Sequence, residues 1–303
     1  MQSRRSVPYF QVDAFAQRPF SGNPAAVVLV REPLDNATML AMAAENNVSE
    51  TAFVQPLDDA AAADEDVFRT ASAFRLRWWS PTVEVPLCGH GTVATAAVLQ
   101  HVVGNAAERI SFETQRGTLV ASKDAQGRIG IDMPLYEAVA YPNADGRLDA
   151  LLAALFAGVT VRTRRVLYNR DTFKIFVLLD EASETVASLQ SLAPDMEGMM
   201  RNGDFDVVRG VSVSLRARGD DADAYDVYSR YFAPWNGIPE GPVNGSSHTV
   251  LADIWAKELG KDELSFRMAS KRGGDLHVRV DRAAQRIQLS GHAALVHKGT
   301  MYM

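Results

Sequence analysis

The most constraining feature of this sequence is a segment that occurs twice, once in each half of the chain. The first copy reads WWSPTVEVPLCGHGTVATAAVL and the second reads RYFAPWNGIPEGPVNGSSHTVLADIW. In each copy an aromatic strand ends in a small residue and proline, and a second proline precedes a glycine turn that opens a helix. The repeat predicts two similar domains, each with a strand, a glycine turn and a central helix. A chance likeness of proline and glycine spacing is the alternative.

Length and strand pattern fit this duplication. A chain of 303 residues, of which 47% are hydrophobic, is long enough for two domains with a sizeable core. We expect an N-terminal domain over residues 1–133, completed by a C-terminal strand over 290–303, and a C-terminal domain over 134–289. Many short strands with few helices predict an α+β fold. The sequence has no G-x-G-x-x-G motif after a strand, which argues against a dinucleotide-binding fold.

Charge and cysteine content narrow the classes of partner and compartment. The formal net charge is −6 and the pI is near 5.6, whereas nucleic-acid and membrane-surface proteins are typically basic. A single cysteine, Cys88, excludes an internal disulfide and fits a reducing compartment. No apolar run resembles a signal peptide or a membrane span. We therefore expect a cytoplasmic protein without nucleic-acid or membrane partners.

The glycine turns suggest the kind of ligand. A turn at a helix start leaves backbone N–H groups free, and these groups and the helix dipole attract an anion. Glycine lets a ligand approach the backbone closely. Two such starts, one per domain, predict a small carboxylated ligand in a cleft between the domains.

Five separated segments resemble a known family. They are VDAFAQRPFSGNPAAVV, AAENNVSETAFV, RLRWWSPTVEVPLCGHGT, SRYFAPWNGIPEGPVNGSSH and LSGHAALVHKG, in this order over nearly the whole chain. This arrangement resembles the PhzF-like isomerases of phenazine biosynthesis, within the diaminopimelate epimerase-fold superfamily. The resemblance implies two pseudo-symmetric halves, each an antiparallel β-roll around a central helix, with the active site between them. It also implies a homodimer.

The resemblance further implies a proton-transfer mechanism. The glutamate of the motif A-x-E-x-N-x-S-E-T, here Glu45, is expected to be the proton shuttle. The best-known family member isomerises trans-2,3-dihydro-3-hydroxyanthranilate without a cofactor. One carboxyl group can remove and return the proton if a partly desolvated site raises its pKa. The alternative for Glu45 is a solvated carboxylate at a helix end.

The same resemblance assigns roles at both helix starts. His90 is expected to support the substrate and its proton movements; the alternative is a histidine that bonds the backbone at a helix start. Ser246 is expected to help hold the substrate carboxylate, and it can also cap the second helix. Further substrate contacts are expected from Gly89, Gly91, Thr92, Gly245 and Ser247.

Two positions depart from related enzymes. Gly241 stands where the family usually has an aspartate of the active-site hydrogen-bond network, which leaves the substrate and the efficiency of the chemistry open. Cys88 occupies the position of one of two facing thiols in related racemases, but the second position is Asn244. A two-thiol racemase is therefore excluded, and Cys88 is expected to be a small buried residue.

Three functions fit the sequence. The first is an isomerase of a small, carboxylated and cyclic substrate that resembles dihydro-hydroxyanthranilate. The second is an amino-acid racemase or epimerase with non-thiol bases, and the third is a binding protein that has lost the chemistry. Glu45 together with His90 favours the isomerase. The six histidines form no H-E-x-x-H pattern, so no metal is expected. The resemblance implies that no other cofactor is needed.

Overall fold

The fold was analysed on a computed structural model that describes residues 5–57, 64–141, 146–204 and 206–303. The chain divides into two compact units. Unit 1 comprises Met1–Asp132 and Ser290–Met303, and unit 2 comprises Met133–Leu289. Among the described residues, no helix is both long and apolar enough to cross a membrane.

Strands form most of the regular structure. In chain order they are β1 (Ser6–Ala14), β2 (Asn23–Leu29), β3 (Glu50–Pro56), β4 (Ala73–Trp79), β5 (Glu84–Val85), β6 (Arg109–Thr114), β7 (Gly117–Lys123), β8 (Ile129–Pro134), β9 (Val139–Ala140), β10 (Thr163–Asn169), β11 (Lys174–Leu179), β12 (Gly210–Arg216), β13 (Val227–Ala233), β14 (Ile238–Gly241), β15 (Glu263–Met268), β16 (Gly274–Asp281), β17 (Arg286–Gly291) and β18 (Ala293–Tyr302).

The helices are fewer. They are α1 (Asn36–Asn46), α2 (Val67–Thr70), α3 (Gly89–Ala97), α4 (Arg147–Leu155), α5 (Val186–Ser191), α6 (Met196–Asn202) and α7 (Gly245–Leu259). A π-helical segment, Val98–Val103, continues α3. Short 3-10 segments lie at Gly219–Asp223 and Pro234–Asn236.

Both units contain the same series of strand pairings. In unit 1, β1–β2 is antiparallel, β2–β3 parallel, β3–β4 and β4–β5 antiparallel, β4–β6 parallel and β6–β7 antiparallel. In unit 2, β10–β11, β11–β12, β12–β13, β13–β14, β13–β15 and β15–β16 repeat that series in the same directions. The topology therefore confirms the pseudo-symmetric α+β fold that the sequence repeat predicts.

The parallel pairs refine the expectation of an antiparallel roll. Parallel neighbours need a crossover connection, which is usually helical. Helix α1 connects β2 to β3, and the connection from β4 to β6 contains α3. In unit 2 the crossover from β11 to β12 contains α5 and α6, and the crossover from β13 to β15 contains α7. Each unit is thus mainly antiparallel, with two parallel pairs at its helical crossovers.

Helices α3 and α7 are the central helices of the two units. In α3, every residue from Gly91 to Ala97 is buried, and the helix packs on β1, β2, β3, β7 and β18. In α7, residues 247–256 are buried, and the helix packs on β15 and β16. A helix that is buried on nearly all sides must be apolar around its circumference. The small and apolar residues after each glycine turn meet that requirement.

An arginine–glutamate pair is also duplicated. In unit 1, Nε and Nη2 of Arg77 donate to the two carboxylate oxygens of Glu84 at 2.6 and 2.8 Å. In unit 2, Arg230 makes the same two bonds with Glu240 at 2.7 and 3.0 Å. Nη1 of Arg230 also donates to the carbonyl oxygens of Leu189, Gln190 and Leu192. Each pair joins a long strand to the short strand that leads to the central helix.

The two pairs predict unequal stability effects. The Arg230 side chain is 10% exposed and that of Arg77 is 27% exposed. Arg230→Met removes a nearly buried guanidinium and leaves the Glu240 carboxylate and three backbone carbonyl oxygens without their donor, so it should lower the free energy of unfolding by about 3–5 kcal/mol. Arg77→Met should cost about 1 kcal/mol, because water screens the more exposed Arg77 guanidinium. Urea unfolding of both variants measures the difference. An equal or larger loss for Arg77→Met would contradict this interpretation.

Candidate active site

Four polar side chains meet at the start of α3. His90 is the second residue of this helix, and Cys88 is its N-cap. Nε2 of His90 lies 2.9 Å from Oε2 of Glu50, and Nδ1 lies 3.4 Å from Sγ of Cys88. Oγ of Ser49 lies 3.4 Å from Nε2 of His90. Since Glu50 is the first residue of β3, a strand start and a helix start together build this cluster.

Burial makes the charges of the cluster interdependent. The side chains of His90 and Glu50 are 11% and 19% exposed. Burial alone would lower the pKa of His90, but Cys88 and Glu50 beside the ring raise it well above 6.5. Burial alone would raise the pKa of Glu50, but the His90 charge and hydrogen bonds from His90 and Ser49 lower it below 4.5. At neutral pH the pair is therefore an imidazolium beside a carboxylate.

One carboxylate oxygen retains a capacity for a further proton or hydrogen bond. Oε2 of Glu50 is buried, and among the described residues it has no well-aligned hydrogen-bond donor, although Nε2 of His90 is 2.9 Å away. The two atoms are close but not aligned for a linear hydrogen bond, and this direction of contact suits an ion pair better.

The structure does not place Glu45 in this cluster. Glu45 is exposed in the last turn of α1, whose buried face consists of Met39, Met42 and Ala43. Among the described residues, the side chains that contact His90 in the cluster are Cys88, Ser49 and Glu50. Glu50, and not the expected proton shuttle Glu45, is therefore the carboxylate that lies beside His90.

The turn after α1 explains why Glu50, and not Glu45, lies beside His90. Asn47 ends α1 with a left-handed φ of 48°, and its N–H donates to the carbonyl oxygen of Ala43. The chain then turns into β3, where Glu50 pairs with Ala25 of β2. A carboxylate at the start of a buried strand is costly unless it is paired. That position was the sequence signal that favoured Glu50.

Gly91 and Thr92 have structural roles in the first turn of α3. The N–H of Gly91 donates to Sγ of Cys88 at 3.3 Å, and a Cβ at this position would lie 2.7 Å from Cδ1 of Trp78. The buried hydroxyl of Thr92 donates to the carbonyl oxygen of Cys88 at 2.7 Å. The N–H groups of Gly89 and His90, which have no acceptor within a helix, are the ones suited to an anion.

The start of α7 repeats this capping arrangement. Oδ1 of Asn244 accepts from the N–H of Ser247 at 2.8 Å, and Oγ of Ser247 donates to the carbonyl oxygen of Asn244 at 2.9 Å. Ser246 bonds Oδ1 of Asn244 at 3.0 Å and accepts a hydrogen bond from Nζ of Lys174. The N–H groups of Gly245 and Ser246 occupy the anion-binding positions of this helix.

Lys174 is a site residue that the sequence analysis missed. It is buried at the start of β11, and the apolar run IFVLL follows it directly. A charged residue at the end of a continuous apolar strand was the available signal, since burial of an unpaired ammonium is costly. Its contact with Ser246 makes it part of the second helix start.

Gly241 lies close to an aromatic side chain of β13. It pairs with Tyr231, and a Cβ at Gly241 would lie 3.0 Å from Cδ1 of that ring. The neighbouring Glu240 is engaged by Arg230 rather than directed to the helix start. An aspartate at position 241 would therefore require a small shift of Tyr231.

The first cluster also has metal-ligand chemistry. The candidate donor atoms of Glu50, Cys88 and His90 all lie within 4.8 Å of one another. Such a mixed thiol, imidazole and carboxylate set suits a divalent ion such as Zn²⁺. The thiol would have to lose its proton first, and burial raises the pKa of Cys88 above 9.0.

Comparisons with known proteins agree with this fold. A family model described as phenazine biosynthesis-like protein matches residues 12–299. A phenazine biosynthesis-like domain-containing protein of Bos taurus is 40% identical, over 97% of this chain and 99% of its own. A Pseudomonas aeruginosa protein named an uncharacterized isomerase is 37% identical, over 97% of this chain and 98% of its own.

Solved structures show the same architecture. A PhzF family protein of Enterococcus faecalis superposes with a TM-score of 0.80 and 32% identity, covering 99% of this chain and 100% of its own. A hydroxyproline epimerase of Agrobacterium vitis has a TM-score of 0.52 at 14% identity, covering 100% of this chain and 94% of its own. The second likeness shows a shared epimerase-type fold.

The environment of Cys88 predicts low thiol reactivity. Cys88 is 5% exposed, and burial is the main cause of its raised pKa. Because the thiolate is the reactive form, a disulfide reagent should modify native Cys88 about 100-fold more slowly than the unfolded chain at about pH 8. The absorbance of the released thiol measures both rates. Equal rates in native and urea-unfolded protein would contradict the buried position.

Proposed function

Because the chain belongs to the phenazine biosynthesis-like family, we propose that it is an isomerase that moves a proton between carbons of a small carboxylated substrate. The proposal assigns the proton transfer to Glu50, with His90 as its charged partner, and it requires no cofactor. The buried pair of Glu50 and His90 at the start of α3 is the observation that supports it most.

The proposed step uses one carboxyl group twice. Ionised Glu50 accepts a proton from a substrate carbon, and the released electron pair shifts the double bond. The protonated carboxyl then gives the same proton to another carbon and returns to its ionised form. The pKa of Glu50 is lowered rather than raised as the sequence analysis expected, so its carboxylate is a weaker base in the first step and a stronger acid in the return step. His90 stabilises the ionised form at the beginning and end of the cycle.

The rigid setting of Glu50 suits this task. The side chain is fixed at the start of β3, whose remaining residues are mostly buried. A shuttle must remain over the substrate while the proton changes carbon, and a group on a regular element is held more precisely than one on a loop. Partial burial also strengthens the electrostatic effect of His90.

The substrate class follows from the anion-binding geometry and the family. Free N–H groups at a helix start favour a carboxylate, and the family description concerns phenazine biosynthesis. We propose a ring carboxylate similar to trans-2,3-dihydro-3-hydroxyanthranilate. A racemase with two thiols is excluded, since Cys88 is the only cysteine of the chain.

The two glutamates provide a matched test. Glu50→Gln preserves the shape of the side chain but removes its basicity, so turnover should fall by about 10²–10⁴-fold or more. Glu45→Gln changes an exposed glutamate of the same motif and should leave turnover within about twofold, as is usual away from the reacting atoms. Turnover of ring-carboxylate dienes by both variants is measured by proton NMR in deuterium oxide, which reports the change of double-bond position whether or not the moved proton exchanges with solvent.

Calorimetric binding of anthranilate, a stable ring carboxylate, serves as the control for an intact site. The proposal fails if Glu50→Gln retains turnover within tenfold of wild type while binding is unchanged. A selective loss in Glu45→Gln would restore the original assignment. Exchange of deuterium without a change of double-bond position would indicate an epimerase or racemase instead.

A further inference from the structure

Lys174 is a buried cation without an obvious counterion. Its side chain is at the start of β11, and the residue is 6% exposed. Among the described residues, no carboxylate lies within ion-pair distance of its Nζ atom, whereas Lys257 of the same unit contacts both Asp253 and Glu137. An ammonium group in such surroundings is costly to keep charged.

The groups that face Lys174 are neutral at physiological pH. Nζ donates to Oγ of Ser246 on α7, and it lies 5.4 Å from the ring centroid of Tyr231 on β13. Burial raises the pKa of the Tyr231 phenol. Burial, and to a smaller extent Lys174, lower the pKa of the nearby His248 to about 4. Neither ring therefore supplies a negative charge to the ammonium group.

Burial without a nearby carboxylate among the described residues is reflected in the pKa of Lys174. Burial lowers the pKa of Lys174 from 10.5 to about 7. A lysine with this pKa is partly neutral at physiological pH, and any anion that approaches Nζ favours its protonated form. Lys174 is thus poised to gain a proton and an anion together.

The two helix starts differ in their chemistry. The first has an imidazole and a carboxylate, His90 and Glu50, which can exchange a proton. The second has a hydroxyl and an ammonium group, Ser246 and Lys174, which can donate hydrogen bonds to an anion. The N–H groups of Gly245 and Ser246 add further donors at this start.

We propose that Lys174 is a specificity-determining residue that binds a carboxylate at the start of α7, together with the Ser246 hydroxyl and the N–H groups of this helix start. The identity of the anion as a ring carboxylate rests on the proposed function. The binding step couples a carboxylate to a proton taken up by Nζ of Lys174, so net charge is neutralised in the buried site.

Proton uptake on binding is the distinctive consequence. Titration calorimetry with anthranilate in two buffers of different ionisation enthalpy gives the number of protons taken up. At about pH 8, a lysine with a pKa of about 7 is mostly neutral, so binding should take up about 0.9 proton. At about pH 6 the lysine is already protonated, and uptake should fall to about 0.1 proton.

Substitutions separate the charge from the shape of the side chain. Lys174→Met should weaken anthranilate binding about 10–100-fold and abolish proton uptake, because a charged donor is lost. Lys174→Arg keeps a permanent charge and should retain more affinity than Lys174→Met, without proton uptake. Lys257→Met changes a lysine that already has acidic partners and should alter neither property.

Four results would overturn the assignment. The first is proton uptake that persists in Lys174→Met. The others concern the wild type: no binding of anthranilate, binding without proton uptake at about pH 8, or binding of neutral benzamide that is as tight as that of benzoate. Glu50→Gln should bind anthranilate with normal proton uptake. If the wild type binds anthranilate with proton uptake but isomerises no substrate, only the proposed function is refuted. Turnover that does not depend on Lys174 would refute only the present inference.

Discussion

Each unit of this protein is organised by the need to bury a helix whose first turn has unsatisfied N–H groups. The N-cap side chains of Cys88 and Asn244 each accept one of these groups, the third N–H of the helix. The earlier N–H groups have no acceptor within the helix. The strands around each central helix exclude water from most of its length, so the first turn is where polar chemistry concentrates.

The free N–H groups in the first turns of α3 and α7 give two helix starts with the same geometry but different chemistry. At the first helix start, mutual attraction outweighs the effect of burial and keeps Glu50 ionised and His90 protonated. At the second start, a hydroxyl and a buried lysine replace them. The same backbone framework thus supports acid–base chemistry in unit 1 and anion recognition in unit 2, as the two proposals assign them.

Sequence reasoning captured what depends on local pattern. The repeated aromatic, proline and glycine positions predicted the duplicated topology, because each such position fixes a strand end or a helix start. Arg77 immediately precedes the first copy of the repeat and Arg230 begins the second, and their bonds to Glu84 and Glu240 are equivalent in the two units. His90 and Ser246, which the sequence analysis expected at the two helix starts, are the second residues of α3 and α7.

What the sequence did not reveal depends on backbone reversal and tertiary burial. Glu45 and Glu50 belong to one short motif, and the left-handed turn at Asn47 determines which of them leaves the helix and enters the sheet. Gly91 and Ser247 looked like ligand contacts, but the cap residues accept their N–H groups. Lys174 is buried by elements distant in sequence, so the residues next to it in the chain did not predict its burial.

The central claim, that Glu50 is the acidic partner of His90, can be tested most directly by NMR titration of the His90 ring. The wild-type protein should show a His90 pKa well above 6.5, because Glu50 and Cys88 favour the charged ring. Glu50→Gln should move this pKa down, and Glu45→Gln should leave it unchanged. A His90 pKa that responds to Glu45→Gln but not to Glu50→Gln would contradict the account.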